Sequence, residues 1–201
     1  MLCSRGSEPA PAAELAAIER AANEFAAPCG LRAVAMPLRS VGVKADLRAY
    51  ERPVMLAGEA PWERILEAAN QIYRRVDGVN RCCYALSPMG ALEAIPGTVT
   101  RKRLDLLRDA DHFVMEGLAR HELLNVVWQC PTVALPLRVD GRGDELIVVR
   151  PVLSARAMTA RPARLPDALI RELREQILGL PGVSGLCIDV TTKPPGTIEW
   201  E

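Results

Sequence analysis

The stretch "DGVNRCCYAL", residues 77–86, returns as "PGVSGLCIDV", residues 181–190. Each carries a glycine, Gly78 or Gly182, where a helix gives way to a strand. Strand alternation then sends Cys82, Tyr84 and Leu86 toward one core, and Leu186, Ile188 and Val190 likewise in the second copy. Two more echoes lie upstream in the same order. "MPLR" at 36–39 returns as "LPLR" at 135–138, and "RPVML" at 52–56 as "RPVLS" at 150–154. Three echoes in one order predict a duplicated unit of roughly half the chain.

Periodicity gives the unit its elements. First strands are expected over 31–38 and 132–138, second strands over 50–57 and 145–153, and last strands over about 79–86 and 183–190. The intervening helix starts at Pro61 in the first copy and at Pro166 in the second. Trp62, Ile65, Leu66, Ala69, Ile72, Tyr73 and Val76 share one helical face, as do Leu169, Ile170, Leu173, Ile177 and Leu180. The fold class is therefore α+β: two similar ββαβ subdomains, each a small sheet with a covering helix, plus connecting helices. A disordered start spans 1–11, the first subdomain 12–96 and the second 97–201. A helix over about 12–26 opens the first. Another, capped by Thr100, turns Leu104, Leu107, Val114 and Leu118 inward, with "RKR" at 101–103 as its solvated start. Each sheet has a second face, to be covered by solvent, the other copy or a partner subunit.

Composition narrows the function classes. The 201 residues are 49% apolar, and 25 basic side chains balance 25 acidic ones. No overall charge points to nucleic acid or to a membrane surface. No apolar run is long enough to cross a bilayer, and the first residues lack the pattern of a secretory signal. Six cysteines, at 3, 29, 82, 83, 130 and 187, make no CxxC pair or zinc spacing. They read as reduced thiols of a cytoplasmic protein. His112 and His121 make no metal motif. Phosphate loops of the GxxxxGK[ST] or GxGxxG kind and a GxSxG elbow are absent. No catalytic residue and no metal ligand is assigned.

Binding chemistry is concentrated in three segments, read as loops. "SVGVKADLRAY", 40–50, holds Lys44, Asp46 and Arg48. "VVWQCP", 126–131, holds Gln129, and the tail "TTKPPGTIEWE", 191–201, holds Lys193, Thr197 and Glu199. Arginine and lysine suit phosphate, while carboxylate and amide groups suit ribose hydroxyls and base N–H groups. Pro194 and Pro195 stiffen the tail and Gly196 lets backbone approach closely.

Taken together these segments resemble one family. The tail "KPPGTIEWE" resembles the C-terminal signature of glutamine-hydrolysing GMP synthase, and "LPLRSVGVKADLRAY" is similar to that family's first motif in the same region. "GVNRCCYAL" and "GVSGLCIDV" resemble its last strand, and "LLRDADHFVMEGL" with "VVWQCPTVALPL" its entry helix and strand. Two copies resemble the long form, with the dimerisation region doubled. The resemblance implies a C–N ligase of GMP biosynthesis that aminates XMP to GMP, in which this region supports dimerisation and completes the XMP site. It carries XMP contacts to Asp46, Arg48, Gln129, Lys193, Thr197 and Glu199. ATP and Mg²⁺ would belong to an ATP-pyrophosphatase domain that, like the glutaminase, is not in this chain. The chain is then expected to be a homodimer that binds XMP or a related purine nucleotide, is not catalytic alone, and works with a separate ATP-pyrophosphatase/glutaminase chain. A freestanding nucleotide-binding or regulatory protein is the alternative. Ala45, where the family has glycine, and Gly185, where it has the arginine kept at Arg81, are departures.

Overall fold

Two seven-residue strands, β4 (Val79–Ala85) and β11 (Val183–Asp189), meet side by side at the centre of the molecule. The computed structural model describes residues 1–3, 10–44 and 47–201. In chain order the other elements are α1 (Ala12–Ala26), β1 (Arg32–Ala35), β2 (Ser40–Lys44), β3 (Leu47–Ala57) and α2 (Trp62–Arg75) before β4. Between β4 and β11 come β5 (Leu92–Ala94), α3 (Arg101–Arg120), β6 (Thr132–Leu135), β7 (Leu137–Val139), β8 (Glu145–Val149), β9 (Val152–Leu153), β10 (Arg161–Pro162) and α4 (Asp167–Leu178). The main sheet runs β1-β3-β4-β11-β8-β6, with β2 on β3. Both parallel and antiparallel pairs occur, so the fold is α+β with a mixed sheet.

The two halves do not build separate sheets: the antiparallel β4–β11 pair joins them into one. On each side of that seam the inner strand has a parallel neighbour and then an antiparallel edge strand. The registers decide which echoes correspond. Val54 opposes Cys82 and Ala35, while Ile147 opposes Leu186 and Ala134. Met36 therefore matches Leu135, and "MPLR" and "LPLR" fall in register. The "RPV" echo does not. Arg52 pairs beside Val79 and Glu145 beside Val183, so the counterpart of Arg52 is Glu145 rather than Arg150.

Proline breaks the longer expected strands, because it has no N–H for the ladder. Pro136 divides 132–138 into β6 and β7, and Pro151 parts β8 from β9. The stretch 40–50, read as a loop, contains β2 and the start of β3, paired from Ser40–Glu51 to Lys44–Leu47.

Alternation splits the sheet side chains between two cores. Cys82, Leu186 and Ile188 lie under the helices with Ile18, Ile72, Val114 and Leu173. Cys83 and Cys187 point the other way, into a core with Met36, Met55, Leu135 and Trp200. That second face is filled from within the chain, by Trp200 of the tail and Cys3 among others, so it is not an open surface for a second copy. Leu2 and Cys3, in the segment expected to lack structure, lie along β6. The opposite edge, β1, is closed by α1: the Asn23 side chain exchanges two hydrogen bonds with Ala33, and Glu19 accepts one from the Ala35 N–H.

Helix starts follow the sequence. Pro61 and Pro166 are extended residues before α2 and α4, and the Thr100 hydroxyl accepts from the Arg103 N–H at 3.3 Å. The "RKR" start is solvated only in part. Arg103 is buried, forks onto Glu145 and reaches the Cys3 carbonyl at 3.1 Å. Its mirror in the first half is Arg52 on Glu14 at 3.0 Å, with the charges exchanged between strand and helix. Leu104 is consequently only half-buried, while Val114 and Leu118 are core.

Truncating Ile72, fully buried between α2 and the sheet, to alanine is expected to cost about 2–5 kcal/mol, from lost burial plus the cavity left behind. Urea unfolding of the Ile72→Ala chain measures it; a cost below ~1 kcal/mol would contradict this packing.

Candidate functional site

The tail meets the β2–β3 hairpin edge on. The Val43 N–H donates to the Pro195 carbonyl at 2.7 Å and the Val41 N–H to the Trp200 carbonyl at 3.0 Å, while Gly42 pairs with Gly196. The contact requires Gly42: a Cβ there would stand 2.8 Å from the Pro195 carbonyl oxygen and 2.9 Å from the Asn80 Cβ. Two segments far apart in sequence, singled out separately for binding chemistry, thus become neighbours.

Arg81 fastens them from beneath. Its Nη2 donates to the Val41 carbonyl at 2.9 Å, the Thr197 hydroxyl at 2.7 Å and the Glu199 carbonyl at 2.5 Å. Its Nη1 lies 3.0 Å from Asp189 Oδ2, and the guanidinium stacks 5.0 Å from the Trp200 ring. Trp200 Nε1 donates to the same carboxylate oxygen at 3.0 Å, and Arg150 approaches the other at 2.7 Å. All three ionic side chains are fully buried. Burial and the charge of Arg150 pull Arg81 down to about 10, so it stays protonated at neutral pH. Burial pushes Asp189 up, but the two arginine charges and the Thr191 N–H outweigh it and hold the carboxyl below its ordinary value.

A cavity of about 800 Å³ opens along the tail at Thr192, Lys193 and Pro194. Residues 150–166 connect β8 to α4, whereas the shorter run 58–61 connects β3 to α2. The longer connection carries the β9–β10 hairpin and walls the cavity with Ser154, Thr159 and Arg161. Lys193 of the tail lines the cavity next to that segment. Its backbone pairs with Ala160, and its ammonium donates to the Ala157 carbonyl at 2.8 Å.

The expected site residues are placed unevenly. Lys193 lines the cavity. Thr197 sits over Arg81 with its hydroxyl engaged, and Glu199 gives Arg81 its carbonyl while its side chain is exposed. Gln129 is exposed, with its backbone paired to Val152. Arg48 is exposed on β3 opposite Val43. Asp46 lies outside the described residues. Asp189, Arg150 and Trp200 were not foreseen as a cluster. One signal was available: Asp189 is the only charged residue of the apolar stretch "LCIDV", where the first copy has Ala85. Among the described residues no group of His, Cys, Asp and Glu is arranged to hold a metal ion, and no helix is long and apolar enough to cross a membrane.

Residues 116–200 match the family model described as the GMP synthase C terminal domain. Over this segment the chain is similar to that family. The matched segment contains Gln129, Arg150, Asp189, Lys193 and Glu199, so both the cavity wall and the latch over Arg81 fall largely within it. A probable GMP synthase [glutamine-hydrolyzing] of Leptospira interrogans is 35% identical over 179 residues, covering 86% of this chain and 29% of that protein. The GMP synthase [glutamine-hydrolyzing] of Leifsonia xyli is 48% identical over 115 residues, 53% of this chain and 23% of its own length. That of Thermobifida fusca is 44% identical, with 53% and 22% covered. The chain thus spans less than a third of the length of these relatives.

Breaking a buried ion pair strands its partner. Replacing Arg81 by methionine is expected to cost about 3–5 kcal/mol in urea unfolding. Because the folded-state pKa of Asp189 is depressed, its contribution is complete above the ordinary value of 3.8 and is lost as pH falls through the folded value. The Asp189→Asn chain should be less stable at neutral pH, and its stability should fall less steeply than wild type below that value. Equal acid slopes would remove Asp189 from the account.

Proposed function

We propose that this chain is the XMP-binding C-terminal region of a GMP synthase, non-catalytic by itself. The observation that supports this reading most is the joining of tail and hairpin over Arg81, which leads Lys193 to the wall of a cavity within the roughly 300–1,000 Å³ range of small-molecule sites. The ammonium of Lys193 is a point charge suited to a 5′-phosphate. The exposed Glu199 carboxylate suits a ribose or base donor, and Gln129 and Arg48 remain accessible for further contacts. In this reading ATP and Mg²⁺ act on an ATP-pyrophosphatase part, ammonia comes from a glutaminase part, and this region presents XMP to them.

Association of two copies belongs to the same proposal. The second sheet face is occupied, so the contact would fall elsewhere; Leu124, Val126 and Trp128 are exposed apolar side chains, at 50%, 59% and 41% accessibility. Light scattering is expected to return the mass of two chains, and a single-chain mass at micromolar concentration would exclude the homodimer.

The XMP reading is tested by calorimetry and by complementation. Alone, the chain should bind XMP weakly, because the other wall of the site belongs to the catalytic part. Mixed with an ATP-pyrophosphatase part, it should support ammonia-dependent GMP formation, and Lys193→Ala should weaken XMP binding about tenfold, the equivalent of ~1.4 kcal/mol. Complementation that is indifferent to Lys193→Ala would sink the assignment.

A further inference from the structure

The cavity beside the tail is one-sided in charge. Arg74, Arg161 and Lys193 line it, and no aspartate or glutamate does among the described residues. Neither Arg74 nor Arg161 has an ion-pair partner among the described residues, unlike Arg52, Arg81, Arg103 and Arg150. Three cations converging on a concave site without a counter-charge repel one another, and an anion relieves that repulsion. The cavity between β5 and the start of α3 is different: Lys102, Arg103 and Arg138 face Glu93, Asp144 and Glu145 there, and the charges balance.

Arg74 reaches the cavity from a helix. It belongs to the last turn of α2, in the first half of the chain. The preceding residue, Tyr73, is buried, and its hydroxyl lies 3.0 Å from the Thr192 hydroxyl, next to Lys193 in the tail. Arg161 is held on β10 opposite Leu153. A helix end, a hairpin and the tail therefore each deliver one cation, and the Ser154 and Thr159 side chains complete the wall.

We propose that Arg74, Arg161 and Lys193 form a binding site for a phosphate monoester dianion, with Arg74 lent by the first half to a site otherwise built by the second. This rests on the nucleotide reading above and extends it to two residues that the reading did not include. Guanidinium forks grip phosphate oxygens in pairs, and the lysine adds a point charge.

The test titrates the full chain, at fixed ionic strength, with inorganic phosphate, XMP and xanthosine, following amide shifts by NMR. Phosphate and XMP should compete for the resonances of the cavity wall. Arg74→Ala and Arg161→Ala, at exposed positions and expected to keep the wild-type amide spectrum outside the cavity wall, should each weaken both anions about tenfold and leave xanthosine unchanged, while Arg74→Lys should restore part of the loss. If the variants lose phosphate but XMP binds no tighter than phosphate, the anion site stands and the XMP reading fails. If XMP binds wild type and both variants alike, the XMP reading stands and this site is overturned. No binding of phosphate or XMP to the wild-type chain at millimolar concentration overturns it as well.

Discussion

Everything distinctive in this structure hangs on the buried guanidinium of Arg81. Taking an arginine wholly out of water costs several kcal/mol unless charge and hydrogen bonds compensate. Here the compensation is drawn from four places: the Asp189 carboxylate on the neighbouring strand, the Val41 carbonyl of the hairpin, and the Thr197 hydroxyl and Glu199 carbonyl of the tail. The cost of burial thereby becomes a specification. The path the tail takes brings the Thr197 hydroxyl and the Glu199 carbonyl onto the guanidinium, and that path also sets Trp200 into the second core and leads Lys193 along the cavity.

The seam between the halves explains why the latch occurs once. Across β4 and β11, Asp189 opposes Cys83, while Ala85 opposes Cys187. A second latch at the mirrored position would need an acidic residue at 85 and an arginine at 185, and the chain has alanine and glycine. A Cβ at Gly185 would already press on Met89 and Leu146, so no arginine fits without repacking. The halves share a connectivity, yet one end of the seam is ionic and carries the candidate site, and the other is apolar.

Much of the fold was legible because it depends on local signals. The helix over 12–26, the proline starts at 61 and 166 and the alternation through Cys82, Leu186 and Ile188 all act within a few residues. The hairpin at 40–50 was not legible, because Gly42 and Lys44 interrupt its apolar alternation, and Gly42 is explained only by the tail that passes over it. Arg150 was obscured by an echo that is out of register with the sheet. Among the candidate residues, Lys193 stood out from the composition of the tail, and it lines the cavity. The cavity's other cations did not, since α2, the β9–β10 hairpin and the tail meet only in three dimensions.

The way the connecting segments cross over has a consequence for synthesis. The segment after β4 supplies β5, which pairs with β7 of the second half, and the tail after β11 pairs with β2 of the first. Each half is thus finished by chain that follows the other's last strand or precedes its first. Arg81 reaches its partner carbonyl on Glu199 118 residues later, so a chain emerging from the ribosome carries an unpaired arginine and an uncovered hairpin edge until that later segment has been made. Such non-local closure is slow relative to helix formation. An intermediate with that edge exposed is the state a chaperone, or another copy's tail, would meet first.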